Sequence, residues 1–217
     1  MYNEAQFIQE AVESAAWCSN IIVVDGAFKG FPTEDGKAAS CDGTLEILQE
    51  IKQQHGWTDE KLRVITADTP WGVNEKMQAY LGFIDDGDYF LRMNGDEIFE
   101  SDFSFPVHKI LDYVLDSYKL PLYQLYEYRP NVQNSYKWIP KLIKKTPQLQ
   151  LSQKHLVLTN KFTPPYKLTG GRNRVEPTIA NVPGETLRIR HMCDYRSNER
   201  QTQNWLWLKE FYKLEML

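Results

Sequence analysis

The stretch Asp88-Tyr89-Phe90-Leu91-Arg92-Met93-Asn94-Gly95-Asp96-Glu97-Ile98-Phe99 runs from a short apolar segment straight into acids and an amide. A carboxylate at the end of a buried strand sits where open α/β sheets bind their ligands. Asp96 and Glu97 are hard oxygen donors, suited to Mg²⁺ or Mn²⁺ carried together with substrate phosphates. Two more expected strand ends carry polar groups: Asp25 after Ile21-Ile22-Val23-Val24, and His191 after Leu187-Arg188-Ile189-Arg190. If the three strands share a sheet, their ends line one crevice. An ion bridging a diphosphate to Asp96 would offset charge on a leaving group. Neutral His191 could complete the shell of that ion. An acidic turn capping a following helix would explain Asp96 and Glu97 without any ligand.

These side chains need elements to hold them. Phe7, Ile8, Ala11, Val12 and Ala15 fall on one face of a 3.6-residue period, which predicts a helix over 3–16 with Asn3 as its N-cap. Ile21–Asp25 reads as a buried strand followed by Gly26 for a tight turn. Asp42-Gly43-Thr44 opens a helix from Leu45 to about Gln54, a strand covers 62–66, and a helix covers 74–83. With Tyr89–Met93 as the next strand, this half alternates strand and helix. That order predicts a βαβ architecture with right-handed crossovers. The second half is broken by prolines at 130, 140, 147, 164, 165, 177 and 183 into short pieces. Strands are expected at 120–128, 138–143, 155–158 and 187–191, and a helix at 197–215.

The 217 residues suit one domain. A hydrophobic share of 42% allows a sizeable core, and a net charge of −4 argues against an unspecific grip on nucleic acid. No run of about eighteen apolar residues occurs, so no membrane span is expected. Cys18, Cys41 and Cys193 lack metal-site spacing. With no signal peptide ahead of Met1-Tyr2-Asn3-Glu4, they favour reduced thiols and a cytoplasmic setting.

Taken in order, these segments resemble family 2 glycosyltransferases, which have the GT-A fold. The likeness rests on Asn3-Glu4-Ala5, Ile22-Val23-Val24-Asp25-Gly26 and Ser40-Cys41-Asp42-Gly43-Thr44, then on Asp88 to Glu97, which is similar to the family's strand and DxD metal motif. Trp138-Ile139-Pro140-Lys141-Leu142-Ile143-Lys144 followed by His155 is similar to a later segment of bacterial and phage members. Ile189-Arg190-His191, with Arg196 and a Trp-rich helix, resembles the C-terminal metal-binding histidine region. Order and spacing carry the likeness over most of the chain.

The resemblance implies an α/β fold: a GT-A-like, Rossmann-type, mostly parallel sheet flanked by helices, with a small mixed C-terminal part and a C-terminal helix. It implies a single domain, 1–217, with a nucleotide-binding half at 1–104 and an acceptor-side half at 105–217. The implied reaction moves a sugar, of hexosyl type, from a nucleotide-sugar donor to a hydroxyl of a glycan, lipid or protein acceptor. A UDP-sugar, dependence on Mn²⁺ or Mg²⁺, and inversion are expected. Asp25 would accept a hydrogen bond from the base. Asn3 and Glu4 would lie near base and ribose, with Asn94 also on the nucleotide side. Asp96 and His191 would hold the metal. Glu97, orienting metal shell or sugar, and His155, as base, are the catalytic candidates; Glu127 and Glu176 remain alternatives for the base.

Two departures stand out. Asn94 replaces the first Asp of the motif; its carbonyl can coordinate but brings no charge, which weakens cation binding. The loop from Asp25 to Asp42 is longer than a compact turn and would reshape the donor pocket. A nucleotidyltransferase attacking the α-phosphate, and a non-catalytic nucleotide- or sugar-binding relative, stand as rival readings. Asp42-Gly43-Thr44 works as a helix entry without a ligand, and Trp205 and Trp207 read first as a packing face. Gly170-Gly171-Arg172-Asn173-Arg174 reads equally as an anion-binding loop or an exposed basic turn.

Overall fold

A computed structural model describes residues 1–33, 36–101, 122–132, 136–145, 149–151, 158–160, 179–181 and 187–215. The first part is built as expected from apolar runs. Helix α1 (Ile8–Ser14) buries Ile8, Ala11 and Val12. Strand β1 (Ile21–Val24) pairs in parallel with β2 (Leu62–Ile65), and helix α2 (Thr44–His55) crosses between them. Ile8, Val12, Val23, Leu48, Ile51 and Leu62 form one core cluster. Each contributes because its period, 3.6 on the helices and 2 on the strands, points it at the others. Gly56, at φ 62, ends α2 in the left-handed conformation that glycine tolerates at a helix C-terminus. Helix α3 (Val73–Leu81) begins where the Glu75 carboxylate accepts the Gly72 N–H at 2.7 Å.

The helix expected over 3–16 starts later, at Ile8, and Asn3 is not its cap. Asn3 has φ 51, a left-handed conformation that asparagine visits more readily than most residues. Met1 instead runs beside β1: its amine donates to Val24 O at 2.8 Å, and Gly26 N–H donates to Met1 O at 2.8 Å.

The remaining strands are β3 (Tyr89–Leu91), β4 (Glu97–Ser101), β5 (Leu122–Tyr128), β6 (Tyr136–Lys144), β7 (Leu149–Leu151), β8 (Leu158–Asn160), β9 (Ile179–Asn181) and β10 (Leu187–His191). Helix α4 (Asn198–Glu215) follows a single 3-10 turn at Cys193–Tyr195. A six-stranded sheet runs β3-β6-β5-β10-β4, with β9 beside β5; β7 and β8 pair separately. Here the expectation of a mostly parallel sheet needs correction. The pairs β3–β6, β5–β6 and β4–β10 are antiparallel, while β5–β10 and β5–β9 are parallel. Strand β3 pairs with β6 because its apolar face completes the core of Phe99, Leu125, Leu142, Leu187 and Ile189, against which Tyr89 and Leu91 pack. The molecule is thus mixed α/β with small sheets and, among the described residues, four α-helices. No helix among them is long and apolar enough to cross a membrane.

Candidate active site

Period-2 alternation aims the central side chains of the large sheet. On β10, Leu187 and Ile189 are fully buried, Arg188 is exposed, and His191 continues the inward series. On β5, Leu125 is followed two residues later by Glu127, and both are buried. On β4, Glu97 precedes Phe99 by the same step. Ile189 lies opposite Glu127 and His191 opposite Glu97 in the strand register. Three strands therefore change from apolar to ionisable at one end of one face.

A fourth group arrives by a break in the ladder. Tyr123 faces Leu142 and Gln124 faces Pro140, so Lys141 is the extra residue of a β-bulge. Pro140 brings no N–H to a ladder, which is why such irregularities gather at proline. The bulge turns Lys141 inward, where its side chain is 4% exposed. Its ammonium donates to Glu97 Oε2 and lies 3.8 Å from Glu127 Oε2.

Asp96 sits in the turn between β3 and β4. The cluster is followed by a strand rather than a helix, so helix capping does not account for its acids. Met192 N–H donates to Asp96 O at 2.8 Å, which ties the turn to the end of β10. His191 then bridges two acids: Nε2 lies 3.2 Å from Asp96 Oδ2, and Nδ1 lies 2.9 Å from Glu127 Oε1. Arg196 closes the other side, 3.1 Å from Asp96 Oδ2 and bonded to Glu4 Oε1. Asn94 holds Glu97 twice, through its backbone N–H at 2.9 Å and its side-chain amide at 2.8 Å. The result is a buried chain of alternating charge from Lys141 through Glu97 and Glu127, His191 and Asp96 to Arg196 and Glu4.

Burial makes each of these charges depend on its neighbours. Desolvation acts against the Asp96 carboxylate, but hydrogen bonding to His191 and the Arg196 charge hold it below the usual carboxylate range. Burial likewise opposes the His191 imidazolium; its bonds to Asp96, Cys193 and Glu127 outweigh that and push it up to about 12. Glu4 is raised, chiefly by burial, with Arg196 opposing. The carboxylates of this donor set are the hard oxygen ligands that suit Mn²⁺ or Mg²⁺, and the imidazole among them favours the transition ion Mn²⁺ over Mg²⁺. With His191 neutral, Glu4, Asp96, Glu97 and Glu127 outnumber Lys141 and Arg196 by two charges, the charge such an ion carries.

Beside this chain lies a second network. Asp25, fully buried, accepts the Ser40 N–H at 2.8 Å and its hydroxyl at 2.5 Å. Ser40 Oγ accepts the Asn3 N–H at 2.7 Å, and Asn3 Oδ1 accepts the Cys41 N–H at 3.0 Å. Thr44 Oγ1 accepts the Glu4 N–H at 2.8 Å, and Asp42 accepts that of Ala5 at 2.9 Å. Lys76, its pKa lowered by burial, donates to Met1 O at 2.8 Å and to Gly26 O, with its ammonium 4.6 Å from the Phe28 ring centroid. Gly95 allows the two networks to meet: a Cβ there would lie 2.9 Å from Glu4 Cγ and 3.1 Å from Met1 Cβ. A cavity of about 300 Å³ opens at the junction, lined by Asn3, Glu4, Asp42, Arg196, Arg200 and Gln203 among others. A larger open hollow, about 450 Å³, lies at the end of α2; its Lys52 and Asp59 pair with each other and leave it no reactive group.

Glu4, Asn94, Asp96, Glu97 and His191 are thus brought together. Asn3 and Asp25 belong to the adjoining network, joined to the first through the Asn3-Glu4 peptide. His155 and Glu176 lie outside the described residues. From sequence, Lys141 belonged to the Trp138–Lys144 segment and to a basic run with Lys144 and Lys145 suited to an anionic substrate, not to a group of buried acids; the proline before it, within a strand pattern, was the signal of the bulge. Glu127 was one candidate base among several, and the Leu-x-Glu step on β5 was the sign of its inward direction.

No protein-family model matches the chain, and no curated protein does. Among solved structures it is similar to TarS of S. aureus, at 17% identity and a TM-score of 0.44, over 62% of this chain and 21% of that one. A structure of S. aureus TarS 1-349 gives 18% identity and a TM-score of 0.45, over 62% of this chain and 35% of that one. The chain spans well under half the length of either. A likeness at this level says nothing of substrate or chemistry.

Proposed function

We propose that the chain is a glycosyltransferase that takes a sugar from a nucleotide-sugar donor, expected to be a UDP-sugar, and passes it to a hydroxyl acceptor. The observation that carries this reading is the contact of Asp96 with His191, 95 residues apart in the chain, at 3.2 Å beside a polar cavity. In this reading Asp25, Asn3, Glu4 and Asn94 serve the nucleotide side, and Asp96 and His191 hold Mn²⁺ or Mg²⁺. When bound, that ion would neutralise charge on the diphosphate. Glu127 fixes the orientation of His191 through Nδ1, the role carboxylates take behind metal-binding histidines. Glu97, gripped by Lys141 and Asn94, orients its neighbours rather than taking a proton. The acceptor oxygen bonds to the anomeric carbon as the bond to the diphosphate breaks, and the acceptor's proton passes to a base, for which His155 remains the candidate. Direct displacement of this kind inverts the anomeric centre.

The test is calorimetric titration of UDP in the presence of Mn²⁺, on the parent and on Asp96→Asn, which keeps the shape and removes the charge. A loss of at least about tenfold in affinity, or about 1.4 kcal/mol, is expected. Equal affinity in the two proteins would remove Asp96 from this role.

A further inference from the structure

Glu97, Glu127 and His191 each offer one ligand atom, and the three atoms lie within 4.8 Å of one another. That is the spacing of a cation site, yet an ammonium already stands among them. Lys141 Nζ bonds Glu97 Oε2 and lies 3.8 Å from Glu127 Oε2, on a side chain as buried as its partners. The bulge at Lys141 delivers it there; regular pairing with β5 would have continued past this residue without a break. We infer that Glu97 and Glu127 form, beside His191, a second cation subsite whose resident cation is the chain's own Lys141 ammonium, so that this end of the cluster is closed to a metal ion. Two carboxylates 1–2% exposed need a counter-charge, and a tethered ammonium supplies one without competing for free ions. The inference rests on the acidic centre described above but not on its taking a nucleotide-sugar. It also divides the centre: any metal ion belongs to the Asp96 face of the His191 ring, and Lys141 to the Glu127 face.

Counting Mn²⁺ bound per chain, from the electron paramagnetic resonance signal of the free ion, tests this. Lys141→Met keeps the length of the side chain and removes the charge. It is expected to bind one Mn²⁺ more than the parent. Lys141→Arg keeps a cation in place and gains none, and Lys141→Met combined with Glu127→Gln loses the gain. A folded Lys141→Met that binds the parental number overturns the inference. If Lys141→Met unfolds, refolding in Mn²⁺ should restore its far-ultraviolet circular dichroism, since the ion replaces the ammonium; no recovery in Mn²⁺ overturns the inference equally. Should the parent bind no Mn²⁺, the metal role given to Asp96 and His191 falls, while a rise from none to one on Lys141→Met still upholds the assignment of Lys141.

Discussion

Between Asp96 and Glu127 a single imidazole ring faces a carboxylate at each nitrogen, and this arrangement dictates how the protein answers pH. His191 is raised from an ordinary value near 6.5 to about 12 against the pull of burial. A group whose pKa is raised on folding contributes stability in full below its unfolded value and loses it as pH climbs toward the folded one. Asp96 is shifted the other way. Its contribution is present above the unfolded value of about 3.9 and is lost as pH falls toward its lower, folded value. The melting temperature should therefore be highest between about pH 5 and 6.5 and decline on both sides. His191→Gln should lower the maximum and flatten the alkaline decline, which thermal melts at several pH values would record. An alkaline limb that is equally steep in the variant would mean that His191 is not held as a cation. The same proton also competes with any metal ion at Nε2, so Mn²⁺ affinity should rise with pH in the parent.

Strands impose direction, and the site is largely a consequence of their period. Leu187, Ile189 and His191, then Leu125 and Glu127, show how one face can be apolar for most of its length and ionisable at its end. The positions of these strands were legible in β-branched and aromatic runs, and β10 runs as expected over Leu187–His191. The strand partners were not legible, because a short apolar run such as Tyr89–Leu91 fits a parallel or an antiparallel neighbour equally well. The Lys141 bulge escaped for a related reason: register depends on two strands, and the sequence displays one at a time. Close approach between elements yields a sharper expectation. Gly95→Ala would press its new methyl against Glu4 and Met1, contacts that Gly82→Ala, with open space around it and an ordinary φ of −65, would not make. Overpacking of this kind costs about 1–3 kcal/mol. Gly26→Ala should cost more than either: φ is +124 there, and the Cβ would lie 2.8 Å from Trp71 Nε1. Urea unfolding of the three variants should rank them Gly26, Gly95, Gly82 in decreasing loss, and a Gly82 variant as damaged as the Gly26 one would contradict the packing described here.

At the scale of the whole molecule, residues far apart in the chain are fastened by α4 and by Arg196 just ahead of it. Arg196 reaches Glu4 across 192 positions, Arg200 donates to Tyr2 O at 2.5 Å, and Trp207 Nε1 donates to Lys29 O at 3.1 Å. Trp207 stacks on Phe28 with centroids 5.2 Å apart and meets Phe31 edge-on at 6.1 Å. The helix was legible in the sequence, as was the packing role of Trp207, but Trp205, grouped with it there, is 59% exposed. Residues two apart on a helix point in different directions, and a pattern of aromatics alone does not say which one faces inward. The turn after β1 thus owes its shape to a helix that begins more than 160 residues later, and the same helix lines the cavity through Glu199, Arg200 and Gln203. Trp207→Ala should free the 27–31 segment and cost about 1–3 kcal/mol, less than a fully buried aromatic because Trp207 is half-buried. Hydrogen exchange would localise the effect. Amides of Phe31 and Lys29 should exchange faster in the variant, while those of β1 and α2, packed in the Val23–Leu48 cluster, should keep their parental rates. Uniform acceleration across both regions would show that α4 supports the entire fold, and unchanged rates at Phe31 and Lys29 would show that the stacked aromatics hold nothing in place.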